Sequence, residues 1–162
     1  MFASIHSPGV SPASLVECAG AFSPRVEKLA PETVVLDANG LARLFGTPAE
    51  LARAIARRAA EMGLAASVAV ALTPEAAAHA ARGFRGVTVV PPGREAETLG
   101  ELPVDVLAPS QELAETLARW GVRTFRELAA LPEEGLAERL GPEGVRLHQL
   151  ARGAGGRPLV PD

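Results

Sequence analysis

The alternation of apolar and polar positions divides the chain into two parts. Up to about Pro92, short apolar runs alternate with amphipathic stretches, whereas from about Pro109 only helical periodicity appears. Phe2 to His6 is apolar and β-competent, and Ser7-Pro8-Gly9 breaks it, which predicts a strand ending in a turn. Ser11-Pro12 predicts a capped helix through about Ala19. Arg25 to Leu29 and Thr33 to Asp37 read as two strands joined by the tight connection Ala30-Pro31-Glu32, a hairpin closed by Asn39-Gly40. Thr47-Pro48 opens a helix whose stripe Leu51, Ile55, Ala59 and Met62 lies on one face, and Gly63 stops it. Ala65 to Leu72 shows no polar alternation, which suits a strand covered on both sides or by a helix layer. Thr73-Pro74-Glu75 starts a helix through about Arg82, and Val87 to Val90 is a last short strand before Pro91-Pro92-Gly93. The order β-α-β-β-α-β, with one more helix and strand, predicts an α/β (α+β) fold with a ferredoxin-like sheet over residues 1–92, its helices expected on one face.

The second part predicts helices over Ser110 to Trp120, Thr124 to Leu131, Pro132 to Leu140 and Pro142 to Ala151, punctuated by Gly121, Gly141 and Gly153. A proline-containing linker is expected over 93–108 and a small all-helical domain over 109–162. Between Trp120 and Leu128 the order is a helix end at Gly121, one apolar residue, Val122, and a threonine cap, Thr124. That is the plan of a helix-hairpin-helix module, whose usual work is to point backbone amides at a nucleic-acid phosphate. The candidate DNA-binding residues are therefore Gly121, Val122, Arg123, Thr124 and Arg126: amides around Val122 and Arg123 facing outward, with Arg123 or Arg126 adding charge.

A chain of 162 residues holds one ordinary domain or two small ones. The formal charge of −3 argues against a chain-wide polyanion-binding surface, and the segment from Pro109 to Asp162 has seven arginines against eight acidic residues, so any DNA binding is expected to be weak. No apolar run approaches the roughly eighteen residues that crossing a bilayer requires. Cys18 has no second cysteine to pair with, and no signal-peptide pattern opens the chain; a cytoplasmic location is expected. His6, His79 and His148 are too scattered to suggest a metal site, and Cys18 reads as buried and inert. Trp120 reads as a core plug, and Arg53, Arg57 and Arg58 as a solvated helix face. No nucleophile and base can be paired at these spacings, and no cofactor is expected.

Three stretches carry a resemblance. They are Phe22-Ser23-Pro24-Arg25-Val26-Glu27 followed by Leu36-Asp37-Ala38-Asn39-Gly40; Ser67-Val68-Ala69-Val70-Ala71; and Leu102-Pro103-Val104 through Gly121 to Ala129, ending in Leu150-Ala151-Arg152-Gly153 and Arg157 to Pro161. In order and spacing they resemble the Y-family (translesion) DNA polymerases, and within these the ImuB-type subgroup. The resemblance implies a palm-type sheet followed by a thumb-like helix-hairpin-helix domain and a role in DNA repair or damage tolerance.

The departures are as informative. The family's palm would carry an aspartate on the first strand and an Asp-Glu pair in the hairpin, because two metal ions need clustered carboxylates. This chain has Ile5-His6-Ser7-Pro8 and Glu32-Thr33 there, leaving Glu32 as the residual palm carboxylate. The family's nucleotide-contacting lysines would fall near Pro74 and Ala78, and only Val10 to Phe22 stands where a fingers module would be. The first hairpin of the thumb, Ala108-Pro109-Ser110-Gln111, lacks the glycine-rich turn. The expectation is a non-catalytic, polymerase-like protein, no enzyme, that binds DNA weakly or a repair or polymerase partner protein, without a small-molecule substrate or a membrane. The rival is an interaction module that has kept the fold and lost nucleic acid.

Overall fold

The structure is a computed structural model and describes residues 1–155 and 157–161. It forms two compact units, residues 1–92 with 157–161, and residues 93–155.

The first unit is built on one five-stranded sheet: β1 (Phe2–His6), β2 (Val26–Ala30), β3 (Thr33–Asp37), β4 (Ser67–Ala71) and β5 (Val87–Val89), in the order β2-β3-β1-β4-β5. β1 lies at the centre, antiparallel to β3 and to β4, and β5 adds a short parallel edge. The first four strands follow the ferredoxin-like order, so the palm-type sheet is observed. Between β1 and β2 the chain carries one helix, α1 (Pro12–Gly20), capped by Ser11. A four-residue helix that the hydrophobic pattern does not announce, α2 (Ala42–Phe45), precedes α3 (Pro48–Glu61). Thr47 and Glu50 close a capping box at the start of α3: the Thr47 hydroxyl accepts from the Glu50 amide and the Glu50 carboxylate accepts from the Thr47 amide.

Alternation along each strand sorts the core into two layers. Ala3, Ile5, Val34, Leu36, Val68 and Val70 face α1 and α3, where Leu15, Leu51 and Ile55 are fully buried against them. The opposite face is covered by α4 (Pro74–Gly83), whose Ala78 packs with Val35 and Leu159. Helices therefore lie on both faces, not on one as the sequence suggested. The alanine run Ala76 to Ala78, with Ala80 and Ala81, is almost wholly buried, and these small side chains let α4 lie close over Ser4, Val35 and Ala69. Ser4 meets this apolar layer by donating its hydroxyl to the Val34 carbonyl at 3.0 Å. Residues 157–161 belong to the same unit: Leu159 is buried there, the Val160 amide donates to Glu27 Oε2 at 2.8 Å, and the Arg157 guanidinium pairs with Glu27 and lies 3.6 Å from Glu75.

The second unit is helical: α5 (Glu95–Leu99), a 3-10 turn (Val104–Leu107), α6 (Gln111–Arg119), α7 (Phe125–Ala129) and α8 (Leu136–Ala151). The stretch read as a linker, 93–108, thus has structure of its own and belongs to this unit, while 157–161 belongs to the sheet. The two helices expected over 132–140 and 142–151 form one element with a sharp break. Residues 132–135 are not helical, and Gly141 interrupts α8 at φ 69°, ψ −173°, where Pro142 cannot supply an amide to the preceding turn. Phe125, Leu128 and Leu147 are fully buried, and His148 joins them with its Nε2 2.9 Å from the Leu131 carbonyl. Trp120 is 42% exposed, so it does not serve as the core plug expected of it. No helix among the described residues is long and apolar enough to cross a membrane.

Candidate functional site

Two places collect the residues that sequence reasoning singled out. The first is the hairpin between α6 and α7. Gly121 takes φ 75°, which lets the chain leave α6, and the buried Val122 anchors the turn. Val104 N donates to the Arg123 carbonyl at 2.9 Å, Phe125 N donates to the Leu102 carbonyl at 2.9 Å, and Thr124 bridges Pro103. Thr124 then caps α7, its hydroxyl accepting from the Glu127 amide at 3.2 Å. Gly121, Val122, Arg123, Thr124 and Arg126 are thus held together as one turn.

The amides expected to face a phosphate are engaged within the protein. Val122 N donates to the Leu117 carbonyl at 2.9 Å and Arg123 N to Glu127 Oε2 at 2.6 Å. The Arg126 guanidinium pairs with Glu101 at 2.5 Å. What the turn offers to solvent is the exposed Arg123 and Arg126 side chains, with Glu101 and Glu127 tempering their charge. Upstream, Ala108 adopts the left-handed φ of 50° where a glycine would be at ease, and Ser110 caps α6 behind it.

The second place is the end of the sheet where β1 finishes and β3 and β4 begin. The strand register sets His6 opposite Thr33 on one side and Ser67 on the other. His6 Nδ1 lies 3.0 Å from the Glu32 carbonyl and 3.0 Å from Thr33 Oγ1. A carbonyl only accepts, so Nδ1 carries the proton and Nε2 is left with its lone pair. Burial holds the imidazole below its ordinary range; the Glu32 hydrogen bond opposes this, and the nearby Arg82 charge reinforces it. His6 is therefore neutral at pH 7. The Glu32 carboxylate turns to the loop after β1, where Oε1 accepts from the Gly9 amide at 2.8 Å.

Two clefts open here. One of about 710 Å³ is lined by His6, Ser67, Arg82, Phe84 and Arg85 among others, and one of about 340 Å³ by His6, Glu32, Thr33 and Arg82 among others. Arg82 belongs to both. Sequence reasoning looked for the phosphate-facing residues near Pro74 and Ala78, which are buried in α4, whereas Arg82 stands at the other end of the same helix. The signal that could have found it is Arg82-Gly83-Phe84-Arg85-Gly86, two cations and a flexible turn just before β5.

Among the described residues no three His, Cys, Asp or Glu side chains gather as a metal site. One carboxylate, a neutral imidazole and a threonine hydroxyl do not fit a pair of metal ions, which clustered carboxylates hold. Asp37, at the far end of β3, pairs with Arg25 at 3.1 Å and accepts from Asn39.

Residues 12–82 match the impB/mucB/samB family. The DNA polymerase IV 2 of Mesorhizobium japonicum is 36% identical over 135 residues, 80% of this chain and 32% of that protein. Protein ImuB of Caulobacter vibrioides is 31% identical over 139 residues, 86% of this chain and 30% of that one. The chain is Y-family DNA polymerase-like, similar to DNA polymerase IV and to ImuB alike. A DinB family error-prone DNA polymerase from Sulfolobus solfataricus shares its fold with a TM-score of 0.69 at 22% identity, over 89% of this chain and 45% of that one. An insertion ternary complex of Dbh DNA polymerase matches with a TM-score of 0.67 over 89% of this chain and 44% of that one.

The chain spans about a third of the length of the curated relatives it matches. The expectation that it is no enzyme is overturned: relatives named DNA polymerase IV align with 80–86% of it at 33–36% identity. Missing carboxylates at one end of one sheet describe that place alone, and do not set aside the kinship with proteins named DNA polymerase IV.

Proposed function

We propose that this chain handles DNA in damage tolerance, gripping primer-template DNA weakly through its thumb-like helical unit. The observation that carries the reading is the hairpin of residues 121–126. Its backbone is pinned by hydrogen bonds to Leu102 and Val104, its Val122 is buried, and Arg123 and Arg126 stand in solvent. A fixed turn presenting guanidinium groups positions a phosphate backbone without reading sequence. Because the amides are taken, the contact rests on side-chain charge, and two or three neutralised phosphates give affinity no better than roughly micromolar at physiological salt. Arg82 and Arg85 in the larger cleft add a second place for a phosphate group. A cytoplasmic location goes with this role, and suits a single unpaired, buried cysteine.

The experiment is a fluorescence-anisotropy titration at low salt with single-stranded, duplex and primer-template DNA, on the parent and on Arg82→Glu with Arg85→Glu. Binding that favours primer-template DNA and is weakened by the cleft variant is expected. No binding to any of the three forms would replace this reading with the interaction-module rival.

A further inference from the structure

We infer that the groove between α2 and the start of α3 docks an acidic segment of a partner protein, one carrying a bulky apolar residue flanked by carboxylates. The groove holds about 430 Å³ and is lined by Leu44, Phe45, Glu50, Arg53, Ala54 and Arg57. Its floor is firm. The Phe45 ring packs on Phe22 with centroids 5.2 Å apart, and Leu41 and Phe45 both rest on the main core cluster. Yet Leu44, between them, is 77% exposed, more than any other large apolar side chain among the described residues. A four-residue helix anchored on one side thus holds a leucine out in water on the other, at the lip of a concave surface.

The groove is net positive, with Arg53 and Arg57 against one carboxylate. Glu50 is its single carboxylate, and that group is committed to the capping box through the Thr47 amide at 2.6 Å. Gly46 closes tightly over it, for a Cβ there would fall 2.0 Å from Glu50 Oε2. Arg53 and Arg57 are exposed, one turn apart on α3, and no ion pair engages either among the described residues. Side chains spaced by four helical residues lie about 6 Å apart, so the complementary ligand offers two carboxylates at that spacing. The apolar lip decides between partners. A phosphate backbone gains nothing from Leu44, Phe45 and Ala54, whereas an acidic peptide with a leucine or phenylalanine covers Leu44 and pairs both arginines. The inference uses none of the hairpin or cleft residues and stands apart from the DNA reading.

The test uses the full chain and a fluorescein-labelled ten-residue peptide with Leu-Phe at its centre and two glutamates on each side. A second peptide replaces glutamate with glutamine, a third replaces Leu-Phe with Ser-Ser, and a labelled DNA duplex of ten base pairs is the fourth probe. Arg53→Glu with Arg57→Glu is expected to weaken binding of the acidic peptide by at least about tenfold and Leu44→Ser by about three- to tenfold. Both control peptides should bind as poorly as the arginine variant does. All these side chains are exposed, so the melting temperatures should match the parent's, and Arg53→Gln with Arg57→Gln should reproduce the loss without a charge reversal. The inference is overturned if the acidic peptide does not bind at about 1 mM, or binds the variants as well as the parent. It is also overturned if duplex binding alone is lost on Arg53→Glu with Arg57→Glu, which would make this a nucleic-acid surface.

Discussion

In the sheet unit the candidate site is assembled from residues far apart in the chain: His6 from β1, Glu32 from the β2–β3 turn, Thr33 from β3, Ser67 from β4 and Arg82 from α4. In the helical unit it is one continuous turn, residues 121–126. The difference follows from the two architectures. An antiparallel sheet brings strand ends together by register, so one residue of slip would turn His6 to the other face and dissolve the cluster. A short helix pair positions its turn locally, through a left-handed glycine, one buried valine and a threonine cap. The sheet site depends on the whole core behind it, and the hairpin on a few hydrogen bonds.

That contrast is most sharply broken in the cores. Ile5→Ala removes a fully buried side chain from the central strand and should cost about 2–5 kcal/mol, and Phe125→Ala in the helical unit about 3–5 kcal/mol. Hydrogen exchange should show Ile5→Ala exposing amides of residues 1–92 first and Phe125→Ala those of 93–155. A uniform loss of protection in both variants would mean that the two units unfold as one.

A smaller effect separates the terminal segment from the sheet. Glu27 accepts from Arg157 and from the Val160 amide, so Glu27→Ala should cost about 1–2 kcal/mol and open residues 157–161 to a nonspecific protease. Unchanged cleavage would show that Leu159 alone holds the segment. In the helical unit, Ala108→Gly should stabilise by about 0.5–1 kcal/mol by relieving a left-handed alanine, and Thr124→Ala should cost about 1 kcal/mol by removing the α7 cap. Urea denaturation followed by circular dichroism reads both, and their opposite signs make the comparison internal.

The smallest effect is a pH dependence confined to the sheet. Burial lowers the His6 pKa in the folded state, so the unfolded chain binds the proton more readily. The contribution of neutral His6 is full above the unfolded value of about 6.5 and is lost as pH falls from there through the lower folded value. Urea midpoints at pH 7.5 and pH 5.5 should therefore differ more for the parent than for His6→Asn. An equal difference in both would place the dependence elsewhere.

Much of this was legible in the chain because the signals are local. Thr47-Pro48, Thr73-Pro74 and Ser11-Pro12 each cap a helix as read, and the nearly all-apolar stretch Ala65 to Leu72, interrupted at Ser67, contains β4, covered on both faces. The hairpin at Gly121 was equally plain, since its parts are consecutive. The direction of its amides was not, because Glu127 reaches back to the Arg123 amide and only side-chain placement shows that. Arg82 escaped because its approach to His6 depends on which face α4 covers, and an alanine-rich helix gives no polar stripe by which to judge it. The short helix α2 (Ala42–Phe45) escaped because a single turn, with Phe45 packed on the core and Leu44 exposed, is too short to make a period. The expectation that the chain is no enzyme failed because it weighed one cluster of missing carboxylates above the kinship of most of the chain with proteins named DNA polymerase IV.

The central claim, that the pinned hairpin grips DNA through side-chain charge, is tested most directly by the salt dependence of primer-template binding to the parent and to Arg123→Glu with Arg126→Glu. Both residues are exposed and the Arg126–Glu101 pair is a surface one, so the variant should stay folded. The account predicts that the parent binds at low salt with a logarithmic slope corresponding to about two or three phosphates, and that the variant loses that binding. A variant that binds as well as the parent, with the same slope, would contradict it.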